Sequence, residues 1–434
     1  MEPLTCLCPA HGRHALERRG FLKLAGAAGV GWLTPVGQLL AQAAEQRGRT
    51  SEPAKSVIVL WMAGGPSQLE TFDPHPGTAI SGETKAIKTA APTVQLAAGL
   101  ERLAEHMGDV ALIRSMSSKE GDHERGTYTV KTGYRPDPTL IHPALGAIVC
   151  NEFPAGDVQI PRHVSILPNQ WPARGGFLGD EFDAFKLYDP ANKLPDVTRT
   201  VSDQRDRQRV ADLDVVEKAF ARGREARVEA TGHRDVINRA RMMMSSEQLR
   251  AFDTSEESKA VREAYGDTAF GRGCLAARRL IEVGVRCVEV TLDGWDTHIN
   301  NHKLCQAQVG ILDPAFSALL KDLKQRDLLR KTVVLCLGEF GRTPKINPAG
   351  GRDHWPEGFS VALAGGTIRP GQVVGATDPE GSKKLVRPVT VGELHATVLA
   401  ALGLDAKKIN VAAVGGANRR IHLAEGAPVR ELIG

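Results

Sequence analysis

Asp296, His298 and His302 fall within seven residues of Thr291–His302 (TLDGWDTHINNH). A carboxylate and two imidazoles at this spacing make half of a divalent-metal site. Two further groups could complete it. Glu339 closes the run TVVLCLGE, with Asp353-His354 in the loop beyond. Ser67, Glu70 and Asp73 follow SVIVLWM and a Gly64-Gly65-Pro66 turn. Asp73, Asp296, His298, His302, Asp353 and His354 are the candidate metal ligands. Mixed carboxylate and imidazole donors suit zinc or manganese, with calcium or magnesium as the all-oxygen alternatives. Two such clusters could hold two ions, a clamp used in phosphoryl transfer.

Anion recognition needs guanidinium or free backbone N–H groups. Arg125, Arg342 and Arg352 are candidate clamps, because guanidinium pairs bidentately with phosphate or sulfate. His123 stands near the start of an expected helix that ends at Thr132-Gly133. Such a helix N-terminus attracts anions. No GxSxG motif is present to mark a nucleophile. Ser67, Ser115, Ser117, Ser118, Thr127 and an activated water remain open for that role.

These residues need strands to carry them. Ser56–Met62 and Thr332–Leu337 are nearly continuous apolar runs, the pattern of buried parallel strands. Val285–Val290 (VRCVEV) alternates and is a third strand; Val110–Ile113, Val164–Leu167 and Val361–Ala364 are shorter ones. Helical patterns at Phe270–Glu282 and Ile311–Arg326 lie between them, and one at Val391–Leu402 follows. Strand–helix alternation predicts a doubly wound α/β sheet, and such sheets bind ligands at the carboxyl ends of their strands. Pro168–Asp180 is expected to be a long loop serving as a lid or a pocket wall. Residues 200–260 are charged and helix-forming, and are expected to be a helical insertion or a cap against the sheet, their charges forming a solvated face.

The totals narrow the classes. Of 434 residues, 42% are hydrophobic and 24% charged, ordinary for a globular protein. The net charge is +4, of which residues 1–43 supply +2. With 5% aromatics and no basic–aromatic cluster, nucleic acid is excluded as a partner. Arg18-Arg19-Gly20-Phe21-Leu22-Lys23, the apolar run Leu24–Leu33 and Ala41-Gln42-Ala43 form a twin-arginine signal over residues 1–43. A linker over 44–55 leads into one domain over 56–434. The expected location is therefore periplasmic or extracellular, with no membrane span in the mature chain.

Several longer stretches carry a resemblance. They are AGGPSQLETFDPHP at Ala63–Pro76, LIRSMSSKEGDHERGTYTVKTGYRP at Leu112–Pro136, AYGDTAFGRGCLAARRLIEVGVRCVEVTLDGWDTH at Ala264–His298, GEFGRTPKINPAGGRDHWP at Gly338–Pro356 and VGELHATVLAALGLD at Val391–Asp405. In these the chain resembles domain-of-unknown-function family 1501, which is similar to the alkaline phosphatase and sulfatase superfamily. The resemblance implies a three-layer sandwich, a mostly parallel sheet flanked by helices, with metals at the carboxyl strand ends. It makes Asp296 and His298 a metal-binding pair and Lys131-Thr132-Gly133 the end of the nucleophile helix. Counting back, His123 takes the nucleophile's position, and Phe340 stands where a metal-binding His would follow the acid. No Cys-x-Pro-x-Arg motif is present, which excludes a formylglycine mechanism. The expectation is a metal-dependent hydrolase of a phosphate or sulfate ester, taking an anionic small-molecule or polymer substrate. His123 and Glu339 are its catalytic candidates, and Arg125 and Arg342 bind the anion. The alternative is a non-catalytic binding or scaffold protein on the same fold.

Overall fold

Apolar runs bounded by glycine turns build a single nine-stranded sheet in the computed structural model, which describes residues 53–224, 233–414 and 417–434. In chain order its strands are β1 (Ser56–Met62), β2 (Val110–Ser117), β3 (His163–Ile166), β4 (Phe185–Leu187), β5 (Cys287–Leu292), β6 (Thr332–Leu337), β7 (Phe359–Gly365), β8 (Val373–Val374) and β9 (Val389–Thr390). Their spatial order is β8-β2-β7-β6-β1-β5-β3-β4, with β9 also on β2. Every pairing is parallel except those of β7, which runs antiparallel to both β2 and β6. The sandwich expectation is met. The expected twin-arginine leader and most of the expected linker lie outside the described residues.

Side chains alternate across the sheet, and each face buries its own layer. Ile58, Leu60, Val288, Val290, Val334 and Cys336 face one way, onto helices α5 (Ala269–Glu282) and α6 (Asn301–Gln325). Val57, Trp61, Ala111, Ile113, Val333 and Leu335 face the other, onto α2 (Leu145–Glu152) and α7 (Val391–Ala401). Helix α1 (His123–Thr132) follows β2. Its N-cap Asp122 accepts from the Arg125 N–H, and Gly133 ends it in a left-handed turn.

The insertion contains two charged helices. Helices α3 (Asp203–Ala221) and α4 (His233–Met244) bury no residue fully, although Met243 of α4 packs, part-buried, against the core. They hold each other through ion pairs, Arg241 with Asp206 and Arg234 with Asp214 and Glu217. Among the described residues no helix is long and apolar enough to cross a membrane.

Candidate metal centre

Parallel register brings three strand ends together. Met62 pairs with Leu292, and Trp61 with Leu337. The chain leaving β1 turns at Gly64 (φ +109°) and Gly65 (φ +73°). A Cβ on Gly64 would stand 2.5 Å from the Asp296 backbone nitrogen, so only glycine admits the loop after β5 here. Glu339, two residues past β6, accepts from the Gly64 N–H at 2.9 Å. His354 returns on a two-residue ladder, opposite Arg342.

Three imidazoles converge on Asp296. The His298 and His354 Nε2 atoms lie 3.2 and 3.4 Å from Asp296 Oδ1 and 3.0 Å from each other. His123 Nε2 lies 3.5 Å from Asp296 Oδ2. His123, Asp296 and His354 each offer a ligand atom, all within 4.8 Å of one another. The opposite nitrogen of every ring faces an acceptor. His123 Nδ1 is 2.7 Å from Glu339 Oε1, His298 Nδ1 3.0 Å from Asp353 Oδ1, and His354 Nδ1 2.7 Å from the Gly121 carbonyl. Those acceptors place the proton of each neutral ring on Nδ1 and leave Nε2 a bare lone pair. Two bare nitrogens 3.0 Å apart repel unless a cation or a proton lies between them.

The donor set fits a divalent ion. Atom separations of 3.0–3.4 Å among Asp296, His298 and His354 are those expected of neighbours about one ion with bonds of about 2.0–2.2 Å. Second-partner hydrogen bonds that fix the tautomer are the usual support of metal-binding histidines. His123 Nε2 is buried without a hydrogen-bond partner, and so is Glu339 Oε2.

Charge around the cluster is fixed by Arg342, which is fully buried. Its guanidinium donates to the carbonyls of Gly64, Gly65 and Arg352 and to Asp296 Oδ1 at 2.5 Å. Burial works to raise the Asp296 carboxyl, but Arg342 together with His123 and His298 outweighs it and holds the group below its ordinary value. The Glu339 hydrogen bond raises His123, against burial, with help from Asp296. Burial lowers His354. The hydrogen bond to His298, then that to Asn347, holds Asp353 low. Phe340 completes the wall, its ring centroid 5.1 Å from that of His123 and 4.5 Å from that of His354.

Other candidates lie elsewhere. Asp73 is buried and accepts from Thr377 Oγ1 at 2.6 Å, with Arg114 at 3.4 Å. Glu70 is buried against Arg352 at 3.0 Å and accepts from Ser67 and Thr84. The first strand end therefore lends the site its backbone, not its carboxylates. His302 sits in the first turn of α6, outside the cluster. Asn300, left-handed at φ +46°, breaks the chain between it and His298. Asp353 backs His298 and does not join the converging atoms. Glu339 likewise stands behind His123. Arg342 has its guanidinium spent on protein acceptors, and Arg125 is exposed and paired with Glu120 at 2.7 Å. Arg342 is therefore not free to clamp an anion, whereas Arg125 holds Glu120 through Nε and Nη2 on the exposed surface near the start of α1. Sequence reasoning missed the Gly64–Gly65 backbone, although a Gly-Gly-Pro turn at a buried strand's end was the signal for it.

Residues 54–433 match the family model described as "Protein of unknown function (DUF1501)". A comparison with curated proteins gives no match. Among solved structures the chain is similar to an alkaline phosphatase from the Antarctic bacterium TAB5, at TM-score 0.34 and 14% identity, covering 81% of this chain and 99% of that one. It is also similar to the lipoteichoic acid synthase LtaP from Listeria monocytogenes, at TM-score 0.39 and 9% identity, covering 82% and 73%. A third is the PsFucS1 sulfatase from Pseudoalteromonas sp., at TM-score 0.38 and 10% identity, covering 84% and 70%. The match over nearly all the described chain makes the protein a member of the DUF1501 family.

Proposed function

We propose that the protein is an exported, metal-dependent hydrolase of a phosphate or sulfate ester. One observation carries this reading: three imidazoles with acceptor-fixed Nδ1 atoms aim their Nε2 atoms at Asp296. Asp296, His298 and His354 would hold the ion. When bound, a divalent ion supplies positive charge that offsets the charge of the phosphoryl or sulfuryl oxygens.

The protein's own residues do the rest. Arg342 fixes the Asp296 carboxylate, so its orientation costs nothing at the moment of reaction. Phe340 and the buried Glu339 exclude water from one side. Water attacks the phosphorus or sulfur centre and the bond to the leaving oxygen breaks. In its doubly protonated form, which the Glu339 hydrogen bond favours, His123 holds a proton at Nε2 for that oxygen and is restored from the attacking water. Export rests on Arg18–Lys23 and the apolar run behind it.

The test is purified protein loaded with zinc or manganese against aryl phosphates, phosphodiesters and aryl sulfates. His354→Ala is expected to lose both metal and turnover. His123→Gln is expected to keep the metal and lose about 10²–10⁴-fold in turnover. Bound metal with no hydrolysis across the panel would make the protein a binding module on this fold.

A further inference from the structure

Helix α1 has a second functional face. One side, at Gly126, packs on Phe340 and Glu339: a Cβ there would meet the Phe340 ring at 3.1 Å and Glu339 Cβ at 3.3 Å. Around the helix, Glu124, Thr127, Tyr128 and Lys131 line a cleft of about 310 Å³ whose far wall includes Gln170 and Trp171. Thr127 is one helical turn from His123, so the cleft runs beside the metal cluster.

The cleft is built, not incidental. Thr127 is 1% exposed, yet its hydroxyl has no hydrogen-bond partner among the described residues. It does not take the carbonyl one turn back, the usual recourse of a helical threonine. An orphan hydroxyl of this kind costs stability unless something entering the cleft bonds it. The walls are rigid. Tyr128 Oη accepts from the His142 backbone N–H at 2.8 Å and lies 2.9 Å from His142 Nδ1, and Tyr134 stacks on the same imidazole at 4.4 Å. That arrangement leaves the proton of neutral His142 on Nε2. Lys131 closes the floor, donating to Glu289 at 2.8 Å and to the Trp171 carbonyl at 2.9 Å.

The lining chemistry selects a ligand class. An indole offers an apolar face; a hydroxyl, an amide and a carboxylate surround it. Arg174 and Glu124 also line the cleft. We infer that this cleft binds a pyranose ring, its C–H face against Trp171 and a hydroxyl on Thr127. That the ring is the alcohol half of a hydrolysed ester rests on the proposed function; the binding itself does not.

Methyl pyranosides of glucose, galactose, mannose and N-acetylglucosamine, titrated without metal by saturation-transfer NMR and calorimetry, test it. At least one is expected to bind. Thr127→Val, which keeps the side chain's shape, is expected to weaken binding about 3–10-fold, as loss of one neutral hydrogen bond does. Trp171→Ala is expected to weaken it about tenfold or more. His354→Ala is expected to bind within about twofold of wild type, since the ring site does not use the ion. No binding by wild type up to about 50 mM, or wild-type binding in both cleft variants, overturns the inference. A protein that binds the ring yet neither loads metal nor hydrolyses esters would keep this inference and sink the hydrolase reading. A hydrolase that ignores all four sugars would do the reverse.

Discussion

Glu339 Oε1 holds His123 Nδ1 at 2.7 Å while accepting the Gly64 N–H at 2.9 Å. One buried carboxylate thus ties the head of α1 to the turn after β1. Glu339→Gln keeps the shape but removes the charge behind the imidazole. It is expected to leave metal content intact and lower turnover about 10–100-fold, the usual size of a loss behind a functional histidine. Steady-state kinetics beside elemental analysis would check it; loss of the metal would mean that Glu339 is itself a ligand.

The centre is expected to hold one ion per chain, not two. Phe340 packs against His123 and His354, the Arg342 guanidinium occupies one side of Asp296, and Asp73 and Glu70 are committed elsewhere. Mass spectrometry of metal-loaded protein should give about one zinc or manganese ion per chain. His298→Ala or His354→Ala should bring this to background. A ratio near two would refute the one-ion centre. At an ion concentration a hundred times its dissociation constant, stabilisation is about 2.7 kcal/mol, read as a drop in Tm on adding chelator.

Arg352 and Glu70 form a fully buried pair. Arg352→Ala leaves the Glu70 carboxylate without its counter-charge and is expected to destabilise the fold by about 3–5 kcal/mol. Replacing both, as Arg352→Met with Glu70→Leu, should recover much of that. Urea unfolding of the three proteins decides the matter: a single variant as stable as wild type would show that the pair contributes nothing.

His163 and His395 are buried, and burial lowers both below the ordinary value. They stay neutral in the fold, while the unfolded chain takes up protons near pH 6.5. Below that pH the unfolded state binds more protons, so stability must fall with acidification. It is complete above about pH 6.5 and lost as the pH drops towards the folded values. Each group contributes at most about 1.4 kcal/mol per pH unit. Urea midpoints from pH 7.5 to 5 should show the slope, and His163→Gln with His395→Gln should flatten it.

Much of this was legible in the chain. The apolar runs of β1 and β6 announced buried parallel strands, and a parallel sheet gathers its strand ends. Asp296, His298 and His354 could therefore be assigned to one place by type and position. Asp73 and His302 could not be rejected, because each rejection depends on tertiary partners. Asp73 is claimed by Thr377, some three hundred residues away. His302 falls in the first turn of α6, beyond the left-handed Asn300. Arg342 illustrates the same limit: guanidinium spacing suggests an anion, but three of its acceptors are backbone carbonyls, which leave no mark in side-chain pattern. The exposed α3–α4 pair has the same origin, since a charged helix reads alike whether it caps a sheet or projects from it.

The loop over 343–353 braces itself on the neighbouring loop rather than on the sheet. Ile299 bridges to Gly350, Asn347 Nδ2 donates to the His298 carbonyl at 3.0 Å, and Arg352 fastens the base to the carbonyls of Thr343 and Pro344. His298 and His354 are consequently placed by each other's supports. A chain shortened at 345–350 would still form its sheet but would lose both donors in one step. The scaffold and the cluster of imidazoles around Asp296 are thus separable parts of this protein, and the second can be erased, or rewritten, without unfolding the first.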